Sequence, residues 1–189
     1  AGWGGLTLEV PQIALPIGIS FFTFQAITYL VDLYYGKIAV QKSLLKLALY
    51  ISFFPQLIAG PIVRYAEIEQ QLSSRSISVD SFSAGVRRFL IGLAKKVLLA
   101  NTFAGVADEI FAMPAGELSA PLIMIAVAAY TFQIYFDFSG YSDMAIGLGR
   151  MFGFSFPENF NYPYISRSVT EFWQRWHMTL SRFFRDYVY

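Results

Sequence analysis

The single histidine of this 189-residue chain, His177, is the side chain best suited to move a proton near neutral pH. An unperturbed imidazole has a pKa of about 6.5, which suits general acid or base catalysis. It lies in a basic and aromatic segment, Thr170–Tyr189, that predicts an amphipathic helix with Trp173 and Ser181 on the histidine face. Two interpretations stay open. Either His177 is catalytic, or the helix is an interfacial one anchored by its Trp, Tyr and Arg side chains.

Two aspartates, Asp137 and Asp143, follow a long uncharged run, Leu118–Phe136. Carboxylates at membrane depth are costly, so they usually face a cavity or a partner. They therefore predict either the lining of a pathway or groups that orient a catalytic residue. The alternative for Asp137 is that it caps the helix at the membrane interface, and this alternative is slightly favoured. For Asp143 both interpretations stay open.

Two asparagines, Asn159 and Asn161, lie in the segment PENFNYPY between Pro157 and Pro163. The prolines exclude a regular helix here and predict an extended turn. Amides fixed in this way beside the histidine segment could bind a polar group. Turn formation alone explains them about as well.

Glycines are frequent after Asp137, and Gly149 and Gly153 have the spacing typical of close helix packing. A phosphate-binding loop is not predicted, because neither GxxxxGK[ST] nor a GxGxxG after a strand occurs in the sequence.

The composition predicts a membrane protein. Hydrophobic residues make up 56% of the chain and charged residues only 14%, with a net charge of +1. A soluble domain, a disordered chain and a nucleic-acid binder with a basic face would each need more charge. There is no cysteine and only one histidine, so no metal site built on cysteine or several histidines is expected.

The uncharged runs predict an all-α polytopic membrane protein with several transmembrane helices plus re-entrant and interfacial helices. Val10–Val31 and Leu118–Phe136 are long enough to span a bilayer. Leu47–Val63 is short and broken by proline and glycine, which favours a re-entrant segment. Arg64–Asp80 is polar and is predicted to be a loop. A helix is predicted to begin near Val79 and to run through an interfacial half before it enters the membrane.

The distribution of basic residues predicts the orientation. Lysine and arginine favour the cytoplasmic side, and they are concentrated in residues 32–46 and 64–96. Residues 108–117 contain no lysine or arginine and are expected on the outer side of the membrane. Residues 137–189 then return to the cytoplasmic side.

Four blocks of sequence resemble the membrane-bound O-acyltransferase (MBOAT) family, and its bacterial alginate O-acetylation branch most of all. They are LPIGISFFTFQAITYLVD, ISFFPQLIAGPIVRY, QIYFDFSGYSDMAIGLGRMFGFSFPENFNYPY and EFWQRWHMTLSRFFRDYVY. The branch that transfers D-alanine to teichoic acids shares much of the last block. The resemblance implies that residues 1–189 are an internal fragment of a single MBOAT-type membrane domain, truncated at both ends.

The resemblance also implies the activity and its site. The histidine of the family's W-H-x-[ST]-L block matches His177, with Trp176 before it, so His177 is expected to be catalytic. Asn159, Asn161, Trp173 and Trp176, together with Asp137 and Asp143, are expected to line a substrate or donor channel. A second family histidine lies downstream, so the fragment alone is expected to be inactive.

The implied reaction moves acetyl from a cytoplasmic thioester donor such as acetyl-CoA, with no bound cofactor, toward hydroxyls of an extracytoplasmic polysaccharide similar to alginate. The expected partners are the bilayer of the bacterial inner membrane and periplasmic acetyl-transfer proteins, and no nucleic acid. The alternatives are a transporter, a membrane protein that only docks partners, and an MBOAT enzyme acting on teichoic acid or peptidoglycan.

Overall fold

The computed structural model describes residues 18–58 and 60–189, and all regular structure within these ranges is helical. This confirms the all-α prediction for the described part of the chain. Residues 10–17 of the first predicted span lie outside it. The α-helices are α1 (Ile19–Tyr34), α2 (Leu44–Ser52), α3 (Tyr65–Ser73), α4 (Val79–Ala94), α5 (Asn101–Phe111), α6 (Ala120–Met151), α7 (Val169–Arg175) and α8 (Met178–Tyr187).

Two long antiparallel helices form the centre of the fold. A π-helical segment, Lys95–Ala100, joins α4 to α5 without a break, so that the rod runs from Val79 to Phe111. The rod packs along α6, and both are long and apolar enough to cross a membrane by length and composition. At 1.5 Å per residue, each is about 50 Å long, compared with a hydrocarbon core of about 30 Å.

Two pairs of glycines let α4 and α6 approach closely. A Cβ added to Gly92 would lie 2.5 Å from the carbonyl oxygen of Gly140, and one added to Gly85 would lie 2.8 Å from that of Gly147. The predicted packing pair was therefore wrong. Gly149 faces the ring of Phe156, and Gly153 follows α6 with a φ of 79°, the left-handed conformation that glycine adopts most easily.

Helix α6 does not end at Asp137, so the prediction that this residue caps it was wrong. The helix continues to Met151, because cations from the neighbouring rod neutralise both of its carboxylates. Lys96 pairs with Asp137. The Nζ of Lys95 lies 2.6 Å from Oδ2 of Asp143.

The predicted loop Arg64–Asp80 contains a helix, α3, and this prediction was also wrong. Tyr65, Ile68 and Leu72 repeat at helical spacing and are buried in the aromatic core, which explains why the segment folds. The predicted helix start at Val79 is confirmed. The hydroxyl of Ser78 accepts a hydrogen bond from the backbone N–H of Ser81 and so caps α4.

The segment predicted to re-enter the membrane folds as a short helix, α2, then a 3₁₀ turn, Phe54–Gln56, and then non-helical chain from Gly60 to Arg64. Buried side chains satisfy two of its backbone carbonyls. The hydroxyl of Tyr50 donates to the carbonyl of Val63, and the amide of Gln56 donates to the carbonyl of Tyr50. The re-entrant path and the membrane orientation stay predictions.

Candidate active site

The histidine segment is broken at His177, so the prediction of one helix over Thr170–Tyr189 was wrong. Helix α7 ends at Arg175 and α8 begins at Met178. Between them, His177 has a φ of 44°, a left-handed conformation that is uncommon outside glycine. Trp173 is half exposed. Its backbone carbonyl accepts a hydrogen bond from the hydroxyl of Ser181 across the break. These two side chains therefore do not share one helical face with the histidine.

The loop before α7 supplies the hydrogen bonds that the broken helix lacks. The carbonyl of Asn159 accepts from the N–H of Met178 at 2.9 Å, and the N–H of Asn161 donates to the carbonyl of Arg175 at 2.9 Å. This backbone pairing holds the histidine turn in place. The prediction that the prolines around Asn159 exclude a regular helix is confirmed, because residues 154–162 contain no helix.

His177 is buried between aromatic rings. Only 7% of it is exposed. The ring of Phe138, from α6, meets it edge-on with 4.8 Å between centroids, and the ring of Phe21, from α1, stacks on it at 6.3 Å. Burial lowers the pKa of His177 to about 4, because the charged form loses its hydration. The imidazole is therefore neutral at pH 7.

The hydrogen bonds of Asn159 determine which imidazole nitrogen carries the proton. Its Oδ1 accepts from the backbone N–H of Thr179 at 3.2 Å and lies 3.1 Å from Nδ1 of His177. A backbone N–H only donates, so the side-chain atom that it meets is the amide oxygen. That oxygen only accepts, so Nδ1 carries the proton. Nε2 of His177 then holds the free lone pair of a general base.

Hydrogen bonds of Thr179 connect Asn159 to the chain before α3. Its hydroxyl donates to Oδ1 of Asn159 at 2.9 Å and accepts from the backbone N–H of Ile62 at 3.0 Å. Thr179 and Asn159 are both buried, so these bonds are shielded from water. Residues far apart in the sequence thus fix the position of one amide.

The structure brings together only some of the predicted site residues. Asn159 contacts His177, and Trp176 packs against Phe138, whose ring touches the histidine. Asn161 is exposed, and its carbonyl accepts from the guanidinium of Arg175. Asp137 and Asp143 are held in ion pairs.

Sequence reasoning missed Phe138, Ser139 and Ser142, which lie on the part of α6 beyond the predicted end of the span. Tyr135, Phe138 and Ser142 follow the i, i+3, i+7 spacing of one helical face. Extending the predicted helix past Asp137 would have revealed this face. Tyr135 and Phe138 both pack against Trp176, which shows that the face is directed toward the histidine turn.

Known proteins resemble the chain over nearly all of its length. The model of MBOAT, the membrane-bound O-acyltransferase family, matches residues 35–189. Over 94% of the chain, 50% of residues are identical to the probable alginate O-acetylase AlgI of Pseudomonas aeruginosa. Identity is 40% to a peptidoglycan O-acetyltransferase of Helicobacter pylori, over 96% of the chain, and 34% to a teichoic acid D-alanyltransferase of Bacillus subtilis, over 92%.

The chain spans 34%, 39% and 44% of the length of these three relatives. The family match covers most of the chain and includes the whole histidine turn. The protein belongs to the membrane-bound O-acyltransferase family.

Proposed function

We propose that this chain carries the acyl-transfer centre of a membrane O-acetyltransferase whose acceptor is a polysaccharide. The observation that carries the proposal is the bond between Asn159 Oδ1 and Nδ1 of His177, which leaves Nε2 unprotonated in an apolar surrounding. A neutral imidazole of defined tautomer is what deprotonation of an attacking hydroxyl requires.

In the proposed reaction, Nε2 of His177 removes the proton of an acceptor hydroxyl while the hydroxyl oxygen attacks the thioester carbonyl carbon. The new C–O bond forms, the C–S bond breaks, and the imidazolium returns its proton to the departing thiolate. Oδ1 of Asn159 accepts from Nδ1 throughout and stabilises the imidazolium while it exists.

The amide nitrogen of Asn159 supports a second role for this residue. Nδ2 is buried and has no hydrogen-bond partner among the described residues. A buried donor without an acceptor lowers the stability of the fold, which favours a role in binding an acceptor on a substrate. In the proposed reaction it donates to the carbonyl oxygen of the thioester, where negative charge develops.

The acceptor is proposed to resemble alginate, because identity to the alginate O-acetylase exceeds that to the relatives named for peptidoglycan and teichoic acid. The donor is proposed to be acetyl-CoA or another acyl thioester, reached from the cytoplasmic side. Periplasmic transfer proteins are the proposed partners, and the inner membrane is the proposed location. The ion pairs of Asp137 and Asp143 weaken the transporter alternative, since these carboxylates already have cationic partners.

The experiment is to express the full-length protein with His177→Ala and measure O-acetyl groups on the extracellular polysaccharide at equal membrane abundance. Loss of a general base lowers the rate by roughly 10²–10⁴-fold, so acetylation should fall to background. Ser52→Ala is the control, since this exposed hydroxyl bonds only within α2. Acetylation that persists in His177→Ala would overturn the proposal.

A further inference from the structure

The side chain of Gln25, on α1, is buried without a hydrogen-bond partner. Gln25 is 1% exposed, and within residues 18–58 and 60–189 neither its Nε2 nor its Oε1 meets a partner. In this part of the chain it is the one buried side chain with two unsatisfied polar atoms. Gln56, which is also buried, donates through Nε2 to the carbonyl of Tyr50. A buried carboxamide without partners lowers the stability of the fold, which favours a role in binding.

The hydroxyls beside Gln25 have already used their protons. The hydroxyl of Thr28 donates to the backbone carbonyl of Gln25 at 2.8 Å, and that of Tyr50 donates to the carbonyl of Val63 at 3.0 Å. A hydroxyl has one proton to donate, so neither is left to serve Oε1 of Gln25. The amide therefore offers both an N–H donor and a carbonyl acceptor to a ligand.

The amide of Gln25 is directed toward the histidine turn. Phe21, one helical turn earlier on α1, stacks on the ring of His177 with 6.3 Å between centroids. Residues four apart share one face of a helix, and helical side chains lean toward the N-terminus of their own helix. Gln25 therefore points back toward Phe21, and its amide lies on the side of the imidazole that α1 covers.

Helices α1 and α8 run side by side in the same direction and hold Gln25 in place. The ring of Phe24 packs against that of Phe183 with 4.6 Å between centroids. Farther along both helices, the hydroxyl of Tyr187 donates to Oδ2 of Asp32 at 2.8 Å. These contacts extend to the last residue of α8, so Gln25 has a fixed position relative to the base, as a residue that positions substrate requires.

The surroundings of Gln25 favour an uncharged ligand. Residues 18–31 contain no charged side chain, so this part of α1 does not offer the cation that a carboxylate or a phosphate needs. A carboxamide donates and accepts hydrogen bonds, and so does a hydroxyl group. A sugar, which carries several hydroxyls, can therefore satisfy both ends of the amide.

We propose that Gln25 binds a second hydroxyl of the acceptor sugar, next to the hydroxyl that is acetylated, and thereby selects acceptors that carry both. The inference rests on the proposed acyl transfer and assigns a residue for acceptor specificity to it. The acceptor is favoured over the thioester because the thioester carbonyl oxygen only accepts hydrogen bonds, as it does from Nδ2 of Asn159 in the proposed reaction. Such a contact would leave Oε1 of Gln25 unsatisfied.

The test measures acetyl transfer from acetyl-CoA by the full-length protein to two acceptors. One is an alginate trisaccharide, and the other is its deoxy analogue, in which hydrogen replaces the hydroxyl next to the acetylated one. A site built to bind a hydroxyl discriminates against a substrate that lacks it, so the unaltered protein should prefer the complete trisaccharide by at least about tenfold in kcat/KM. Loss of one hydrogen bond weakens binding by about threefold to tenfold. Gln25→Met should therefore raise KM for the complete trisaccharide by about tenfold or more, abolish the preference and leave donor KM unchanged.

Misfolding does not obscure this test. Replacing an unsatisfied buried amide by an apolar side chain of similar length should leave the melting temperature unchanged or higher. Gln70→Met, at an exposed position of α3, is the matched control and should leave every constant unchanged. The comparison of the two trisaccharides on the unaltered protein needs no variant at all.

Three results overturn the inference. The first is equal use of both trisaccharides by the unaltered protein. The second is unchanged acceptor KM in Gln25→Met, as an amide that binds only a buried water would give. The third is a fall in kcat for both trisaccharides at unchanged acceptor KM, as a contact with the thioester carbonyl would give. Absence of acetyl transfer by the unaltered protein overturns the proposed function itself.

Discussion

Asn159 and His177 share a hydrogen bond of 3.1 Å between Oδ1 and Nδ1, and this bond determines the tautomer of the only histidine in the chain. Nδ1 is the donor in this bond, because the oxygen that it meets also accepts a hydrogen bond from the backbone N–H of Thr179. In the proposed reaction, the asparagine would have the orienting role that a carboxylate has in the serine–histidine–aspartate triad, without adding charge to a buried pocket. A neutral orienting group is consistent with the low pKa of the histidine.

Changing this asparagine to aspartate should alter the pH dependence of the reaction. In Asn159→Asp a carboxylate faces the imidazole and favours its protonated form, so the pKa of His177 should rise from about 4 toward neutrality. The acidic limb of the kcat/KM profile should move upward in pH by at least about one unit. Gln70→Glu adds the same charge on the exposed face of α3 and should leave the limb in place. An unshifted limb in Asn159→Asp would contradict the assigned contact.

Stability should fall on acidification because of His177. Its pKa is about 4 in the folded protein and about 6.5 when unfolded, so between these values the unfolded chain binds more protons. The stability contributed by the neutral histidine is full above pH 6.5 and is lost as the pH falls toward 4. The loss approaches about 3 kcal/mol, as a difference of one pKa unit is about 1.4 kcal/mol. Melting temperatures in detergent should therefore fall more between pH 7.5 and 4.5 for the unaltered protein than for His177→Gln. Parallel losses in both proteins would show that other groups cause the effect.

The glycine contacts between α4 and α6 should tolerate no added methyl group. In Gly92→Ala the new Cβ would meet the Gly140 carbonyl oxygen at 2.5 Å, so the helices must separate, at a cost of roughly 1–3 kcal/mol. Gly105→Ala on α5 is the matched control, because nothing lies within 4 Å of its added Cβ. It should stabilise the helix by about 0.5–1 kcal/mol. Thermal unfolding of both variants checks this, and equal melting temperatures would exclude the close packing.

The buried carboxylate of Asp143 should be important for stability. It pairs with Arg88 and Lys95 and is only 6% exposed. Asp143→Ala leaves Lys95 without its partner and Arg88 with Glu158 alone. Because both cations are partly exposed, the change should cost about 1–3 kcal/mol, less than the loss of a fully buried pair. Adding Lys95→Met should recover part of this loss, because it removes one unpaired charge. Asp108→Ala, at an exposed position, should change stability by less than about 0.5 kcal/mol. If the double variant loses as much stability as Asp143→Ala alone, the unpaired charge of Lys95 does not cause the loss.

The sequence predicted the elements whose signals are local. A helix start near Val79 and a non-helical turn between the two prolines around Asn159 were both predicted, and the structure confirms them. Helix α3 was missed although its signal was present. Tyr65, Ile68 and Leu72 form an apolar stripe inside an otherwise polar segment, and the polar residues around them were given too much weight.

The remaining errors depended on contacts between distant residues. Nothing near Asp137 in the sequence indicates that Lys96 neutralises it and lets α6 continue. Likewise, Thr170–Tyr189 has good helical periodicity, and the break at His177 depends on backbone bonds to Asn159 and Asn161. The identity of the histidine was thus predictable, but its burial, its tautomer and its neighbours on α6 were not.

The π-helical segment Lys95–Ala100 makes the number of residues in this stretch important independently of their identity. Its hydrogen bonds span five residues instead of four, so deleting one residue would let the rod close into regular α-helix. The two halves of the rod would keep about the same rotation, because a π-bulge takes up one extra residue within a single wide turn and leaves the helix on either side in phase. Inside that turn, however, the spacing of the side chains would change, and the contacts of Lys95 and Lys96 with their aspartates on α6 would be disturbed. Related chains should vary in length between α5 and α6, where a surface loop absorbs insertions, and should align without gaps here.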